Sequence, residues 1–337
     1  LFVVVGIAFL NIQTGFAYIW LAFIGATVTA VFVYGLSSIG GGGVTPIKLA
    51  LAGAAASTAL SSLTSAIMLP NNQVMDRFRF WQSGSIGGAG WNDISLLLPF
   101  LIIGFILSIY LSSSLNVLAM GDEVATGLGV HIGRVRILSA FAGVLLCAST
   151  TALAGPIGFI GLMVPHFVRL IFGNDLKWVI PVSALTGAVL LLFADVLGRM
   201  INSPGELEVG IVTAIMGAPI FILICKTSTT NMHDMKLSEL VAKAYRKRQL
   251  KYVFICSILA LIVIGLIYIG MTFGNTIYSP RVVWENLVGI RDDNKFTIVT
   301  LRFPRVLIGL LCGISFGIAG NTFQRIFQNP LASPDII

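Results

Sequence analysis

Charge is what this sequence has least of. Only 10% of its 337 residues are Asp, Glu, Lys or Arg, with 14 acids against 21 bases. Soluble domains carry about 25% charged residues, so the chain does not have the means to cover itself for water. Histidine is almost as scarce: His131, His166 and His233 stand far apart, with no acid or cysteine at metal-ligand spacing, and nothing suggests a metal centre. The cysteines, Cys147, Cys225, Cys256 and Cys312, lie singly in apolar runs, which fits neither a zinc set nor a redox pair; they read as small core residues. No nucleophile elbow and no paired-carboxylate pattern occurs, so enzymatic chemistry has no visible carrier. The glycine run Gly40–Gly43 lacks the Lys-Ser/Thr that completes a phosphate loop and leads into an apolar stretch, so it reads as a turn.

What is abundant is apolar length. Hydrophobic residues make up 56% of the chain, in repeated runs of about 20 residues separated by short polar turns. Only helices satisfy their own backbone in hydrocarbon, so we expect an all-α, polytopic transmembrane helical bundle in a lipid bilayer. The spans predicted are 1–10 (truncated), 17–36, 46–69, 94–113, 137–154, 156–173, 179–200, 208–225, 252–272 and 306–320, the long run 137–173 being split at Gly155-Pro156. Leu1 opens inside an apolar run and the sequence stops at NPLASPDII, so we expect a piece of a longer polypeptide.

Residues 226–251 are plainly water-soluble, with Lys226, Lys236, Lys243, Arg246, Lys247, Arg248 and Lys251. Leu237, Leu240, Val241, Ala244 and Tyr245 recur at helical spacing, which predicts an amphipathic helix along the membrane surface. A basic stretch beside a span belongs in the cytoplasm. That orientation puts loops 37–45, 114–136 and 174–178 inside and loops 70–93, 201–207 and 273–305 outside. The net charge of +7 then reflects orientation and docking rather than nucleic acid, which we do not expect as a partner. Arg77, Arg79, Arg199, Arg281, Arg291, Arg302 and Arg305 fall on the outer side against the inside-positive rule, a surplus that an acidic partner there would explain.

Two features could carry function. Asp195, the deepest acid, stands four residues before Arg199, so the two share a helix face; a structural ion pair and a proton relay are both open readings. Residues 121–136, GDEVATGLGVHIGRVR, form an internal segment too long for a turn, with Val124, Leu128 and Val130 as an apolar side. Two short helices interrupted by Gly127 and Gly129 would make a knob under the membrane, a docking surface or else a solvated connector.

GDEVATGLGV, followed by ALAGPIGFIGLMVPHFVRLIFG, LLLFADVLGRM and ELEVGIVTAIMGAPIFI, closely resembles the permease subunits of iron–siderophore and vitamin B12 ABC importers, over essentially all of residues 1–225. Residues 252–337, with LRFPRVLIGLLCGISFGIAGNTFQRIFQNPLASP, resemble the beginning of the same kind of permease. The order, the end of one unit and then the start of another, is similar to tandem-fused ferric-hydroxamate permeases. The resemblance implies a type II ABC importer permease fold divided into residues 1–225 from a first unit, a cytoplasmic linker 226–251, and residues 252–337 from a second unit. It implies a multi-pass protein of the bacterial cytoplasmic membrane that moves ferric siderophore, hydroxamate above all, with cobalamin or haem as alternatives. An ion-coupled carrier is the alternative from another class.

By the same resemblance Gly121, Asp122, Glu123, Ala125 and Gly129 would press into a cleft on a cytoplasmic ABC ATPase dimer. ATP and magnesium would be used by that partner, with no cofactor bound by this chain. Arg199, Arg302 and Arg305 would face acids on an extracytoplasmic substrate-binding protein. LRFPR carries phenylalanine where the commoner form has leucine, which leaves both arginines in place. The pathway would run between two units, lined partly by the small-residue span 46–69.

Overall fold

The computed structural model describes residues 1–10, 15–39, 46–70, 75, 82–201, 205–228, 241–274, 276–327, 329 and 332. The glycine turn at 40–43, Arg77, Arg79, Trp81, His233 and residues 229–240 of the basic linker, with Lys236, Leu237 and Leu240, lie outside the described residues. Among those described the elements are helical: α1 (Phe2–Phe9), α2 (Gly15–Ser38), α3 (Pro46–Met68), α4 (Trp91–Leu118), α5 (Asp122–Gly127), α6 (Ile132–Ala154), α7 (Ile160–Phe172), α8 (Leu176–Ile201), α9 (Val209–Ser228), α10 (Val241–Thr272), α11 (Pro280–Leu287) and α12 (Phe303–Ile326). Each predicted span is met by a helix. Among the described residues seven stretches are long and apolar enough to cross a membrane, and the shorter apolar helices Ile160–Phe172 and Val209–Leu223 join them.

The long helices alternate in direction, giving the bundle two ends. α5 sits at one end, between α4 and α6. The break predicted at Gly155-Pro156 is real: α6 stops at Ala154, Gly155 turns at φ +72°, and Phe159 takes φ +68° before α7 begins. The outer flank of α4 is apolar, with Ile102, Ile103, Ile106, Ile109 and Tyr110 exposed, as a face against acyl chains should be.

α12 is the most enclosed helix and packs chiefly on α8, then on α6 and α7. Gly309, Gly313, Gly317 and Gly320 recur along it, and Gly313 lies so close to α8 that a Cβ there would stand 2.5 Å from the Gly187 carbonyl oxygen. Small residues at a helix interface let backbones meet, which is how helices gain contact energy in lipid. Buried Ile308, Cys312 and Phe316 fill the remaining faces. Tyr252 of α10 donates from its hydroxyl to the Phe172 carbonyl at 2.8 Å and stacks on Trp178, so α10 is also fastened to the α7–α8 corner. The described residues of 252–327 thus pack into the same bundle as those of 1–225.

Three expectations need correction. The segment 273–305, an external loop by sequence, holds α11 and a π-helical turn, Phe296–Arg302, that runs directly into α12. Pro304, lacking an N–H, sits just after that turn, and such a gap in the bonding ladder is where a π-turn is tolerated. The last span therefore begins with LRFPR rather than after it. Second, α10 runs unbroken from Val241 through the span, so the basic residues from Lys243 to Lys251 are the first turns of that helix and not a separate surface helix. Third, the GDEV segment contains one short helix, α5; residues 128–131 form the turn into α6.

Candidate functional site

At the end opposite α5 an open cavity of about 390 Å³ is lined by Ser85, Glu206, Glu208, Arg199, Arg302 and Arg305 among others. α8 delivers Asp195 and Arg199 one turn apart, and they pair as their spacing predicts, Nη2 to Oδ2 at 2.5 Å. Arg305, on the first turn of α12, donates to Asp195 Oδ1 from Nε and Nη2, both at 2.9 Å, and to Glu206 from Nη1 at 2.6 Å. One carboxylate with no exposed side-chain surface therefore holds two guanidiniums. Pairs of this kind are charge-assisted hydrogen bonds, shorter and stronger than neutral ones.

Arg199 and Arg302 have a second task. α10 ends at Thr272, leaving its last carbonyls without intrahelical donors. Arg199 donates to the carbonyls of Gly270 at 3.0 Å and Phe273 at 3.2 Å. Arg302 donates to those of Met271 at 2.9 Å and Thr272 at 3.1 Å, and its other amino group reaches the Thr276 carbonyl at 2.6 Å. Two cations thus close the negative end of one helix, where the macrodipole favours positive charge. The Tyr278 ring lies under the Arg302 guanidinium, 4.7 Å to its centroid. Of the three arginines matched to a docking face, Arg199 and Arg302 are turned inward, at 6% and 7% exposure. All three still line the cavity, and Arg305 is the least enclosed of them.

At the other end, α5 is a fixed knob. Gly121 at φ +108° and Gly129 at φ +79° make the turns on either side, a backbone region where side chains with a Cβ are strained. Ala125 is fully buried against the bundle, and its carbonyl accepts from Val130 N–H at 2.9 Å. Arg136 of α6 holds the Asp122 carboxylate at 3.0 Å, so that acid is internally paired. Glu123 is exposed, and Met120, Val124 and Leu128 present apolar side chains around it. An apolar tip with one acid, on a rigid base, is what a docking element needs. α3 lies at the edge against α1 and α2, with Ser57, Thr58, Ser61, Ser62 and Ser65 exposed. Thr58, Ser62 and Ser65 donate to carbonyls four residues back, so these three hydroxyls offer acceptor lone pairs.

Sequence reasoning missed Glu206 and Tyr278, although Glu206 stands in the ELEVG motif two residues from Glu208. It also missed Arg169, Asn321 and Gln324, which meet between α7 and α12. No group of three or more His, Cys, Asp or Glu that could hold a metal occurs among the described residues.

The model of a family described as the FecCD transport family matches residues 1–227 and 260–337. Among curated proteins, the chain is 42% identical over 225 residues to the probable siderophore transport system permease protein YfiZ of Bacillus subtilis, covering 67% of this chain and 68% of the relative. It is 40% identical over 227 residues to the ferric enterobactin transport system permease protein FepD of Escherichia coli, covering 67% and 68%. To the iron(3+)-hydroxamate import system permease protein FhuB of Bacillus subtilis it is 38% identical over 205 residues, 61% of this chain and 53% of the relative. The chain therefore spans between about half and two thirds of the length of these relatives.

Proposed function

The chain belongs to the FecCD transport family, and from that premise we propose that it is membrane-spanning permease for an ATP-driven importer of iron chelates, working in the bacterial cytoplasmic membrane. The similarity to siderophore, enterobactin and hydroxamate permeases supports the iron-chelate class. Ferric hydroxamate is the member of that class we assign, on the order of the two sequence segments. The α5 knob would be the contact for a cytoplasmic ABC ATPase dimer that uses ATP and magnesium, with Gly121 and Gly129 setting its angle, Asp122 and Ala125 fixing it, and Glu123, Val124 and Leu128 in contact. In this orientation the arginine cavity opens outside. Arg305 would meet an acid of the substrate-binding protein, with Arg199 and Arg302 holding the face on which it sits. The hydroxyl face of α3 would line the pathway between two units, and switching of access would follow from movement of the knob.

The observation that carries this reading is the match of the family model to residues 1–227 and 260–337, together with an exposed α5 held between two positive-φ glycines at one end of the bundle. Asp195 bears on the alternative: the one buried acid among the described residues is engaged by Arg199 and Arg305 together. Proteoliposomes containing the full-length protein and its ATPase should import radiolabelled ferric hydroxamate only when ATP and magnesium are supplied. Accumulation driven by a proton or sodium gradient without nucleotide would refute the proposal. Reversing Asp122 and Glu123 to lysine together with Gly129→Val should abolish co-purification of the ATPase while membrane insertion is retained; unchanged co-purification removes the knob from its role.

Arg305→Gln should weaken capture of the loaded binding protein in nanodiscs by about tenfold, the loss of one charge-assisted contact. Glu206→Gln, which releases Arg305 Nη1, should leave capture intact or tighten it. Equal affinity for both variants and the parent would take Arg305 out of the interface.

A further inference from the structure

The arginines at the two ends of the bundle are provided for unequally. Opposite α5, Arg199 and Arg305 share Asp195 and Arg305 adds Glu206. At the α5 end, Arg169 in the last turn of α7 and Arg325 in the last turn of α12 make no ion pair among the described residues. Arg169 donates to the side-chain oxygens of Asn321, at 3.3 Å, and Gln324. Arg325 donates to the Asn174 carbonyl at 2.5 Å. All these acceptors are neutral, and the Nε of each guanidinium is buried without a hydrogen-bond partner among the described residues.

The surroundings are built rather than loose. Asn321 donates from Nδ2 to Ser183 Oγ at 2.7 Å, and Gln324 donates from Nε2 to the Leu162 carbonyl at 3.2 Å, so both amides have their oxygens turned to Arg169. Asp175 is the nearby carboxylate whose field reaches Arg325, but its Oδ1 is taken by Asn116 Nδ2 at 2.8 Å and Lys177 N–H at 3.1 Å. Arg169 is desolvated by its burial and has the like charge of Arg325 nearby. A half-buried charge is costly unless paired, and here two are held side by side with fork-shaped donors unspent.

We propose that Arg169 and Arg325 form a phosphate-binding site at the α5 end of the bundle, occupied by the headgroup phosphate of an anionic phospholipid. The planar guanidinium fork matches phosphate oxygens. The neighbours of Arg169 on α7, Phe167, Leu170 and Ile171, are exposed and apolar, which places acyl chains rather than a soluble protein around it. An arginine in the last turn of a span reaches the headgroup level, and basic pockets between spans on the cytoplasmic side are where anionic headgroups collect.

The full chain in nanodiscs of phosphatidylcholine, with or without phosphatidylglycerol, tests this by native mass spectrometry of retained lipid and by thermal melting. The parent should retain phosphatidylglycerol and melt higher with it. Arg169→Gln with Arg325→Gln should retain about tenfold less and lose the thermal shift, while Arg134→Gln, on the exposed side of α6, should match the parent. If the glutamine pair does not fold, Arg169→Lys with Arg325→Lys keeps both charges and should show intermediate retention. A thermal shift from inorganic phosphate in phosphatidylcholine alone, lost in the glutamine pair, supports the phosphate site and identifies free phosphate as a second source. Equal lipid retention by parent and glutamine pair overturns the proposal. So does a parent that retains lipid only after Asp335→Asn, since the chain's own carboxylate would then be the occupant.

Discussion

Replacing Asp195 by asparagine should destabilise the bundle by about 3–5 kcal/mol, the range for removing one partner of a buried ion pair. The substitution is nearly isosteric, so no cavity is opened and the loss is electrostatic. Arg199 would keep the α10 carbonyls of Gly270 and Phe273, and Arg305 would keep Glu206, but both would lose the fully buried countercharge they share. Because Arg199 is one of the two closures on the end of α10, the damage should spread to that helix. The measurement is the midpoint of unfolding in mixed micelles, followed by tryptophan fluorescence and by maleimide access to Cys312, which is fully buried in the parent. A midpoint unchanged within error would mean that the triad contributes orientation and no stability. Asp195→Glu, which retains the charge one methylene further out, should fall between the two.

That triad also marks the boundary of what was legible in the sequence. The pairing of Asp195 with Arg199 follows from helical spacing, and the spans follow from their apolar length, because both are local. Arg305 meets Asp195 across 110 positions, and no periodicity within α8 or α12 encodes that meeting. The same holds for the capping of α10: Arg302 reaches back about a span's length to carbonyls whose need for donors is created only when the helix stops. LRFPR was recognisable as a motif, yet its place in a helix was hidden because a charged pair beside proline reads as loop. α11 was the reverse case. Ser279 with Pro280 at the first helical position, followed by PRVVWENL, is a helix start that could have been read, and the charge of the surrounding segment obscured it. Gly127 and Gly129 were read as equal breaks, but Gly127 ends α5 within helical backbone and only Gly129 takes positive φ. Side-chain identity does not distinguish those two states.

Gly313→Leu should force α8 and α12 apart. The first atom added, Cβ, would stand 2.5 Å from the Gly187 carbonyl oxygen and 2.7 Å from Ala188 Cα, and both of these are backbone atoms of α8 that no rotamer change can move. Overpacking against side chains commonly costs about 1–3 kcal/mol because neighbours can yield; here the helices themselves must separate. Separation would not stay local. α8 carries Asp195 and Arg199, while α12 begins at the LRFPR arginines, so a shift between the helices pulls Arg305 from Asp195 and exposes the buried face that holds Cys312. Maleimide labelling of Cys312 should therefore become fast in Gly313→Leu and remain slow in Gly265→Ala, a control on α10 where an added Cβ meets open space. Gly313→Ala should already show partial labelling, since the clash begins at Cβ. Labelling of Cys312 that stays at the parent rate in Gly313→Leu would mean that α8 and α12 are not in backbone contact, and with that the geometry holding the arginine face would lose its support.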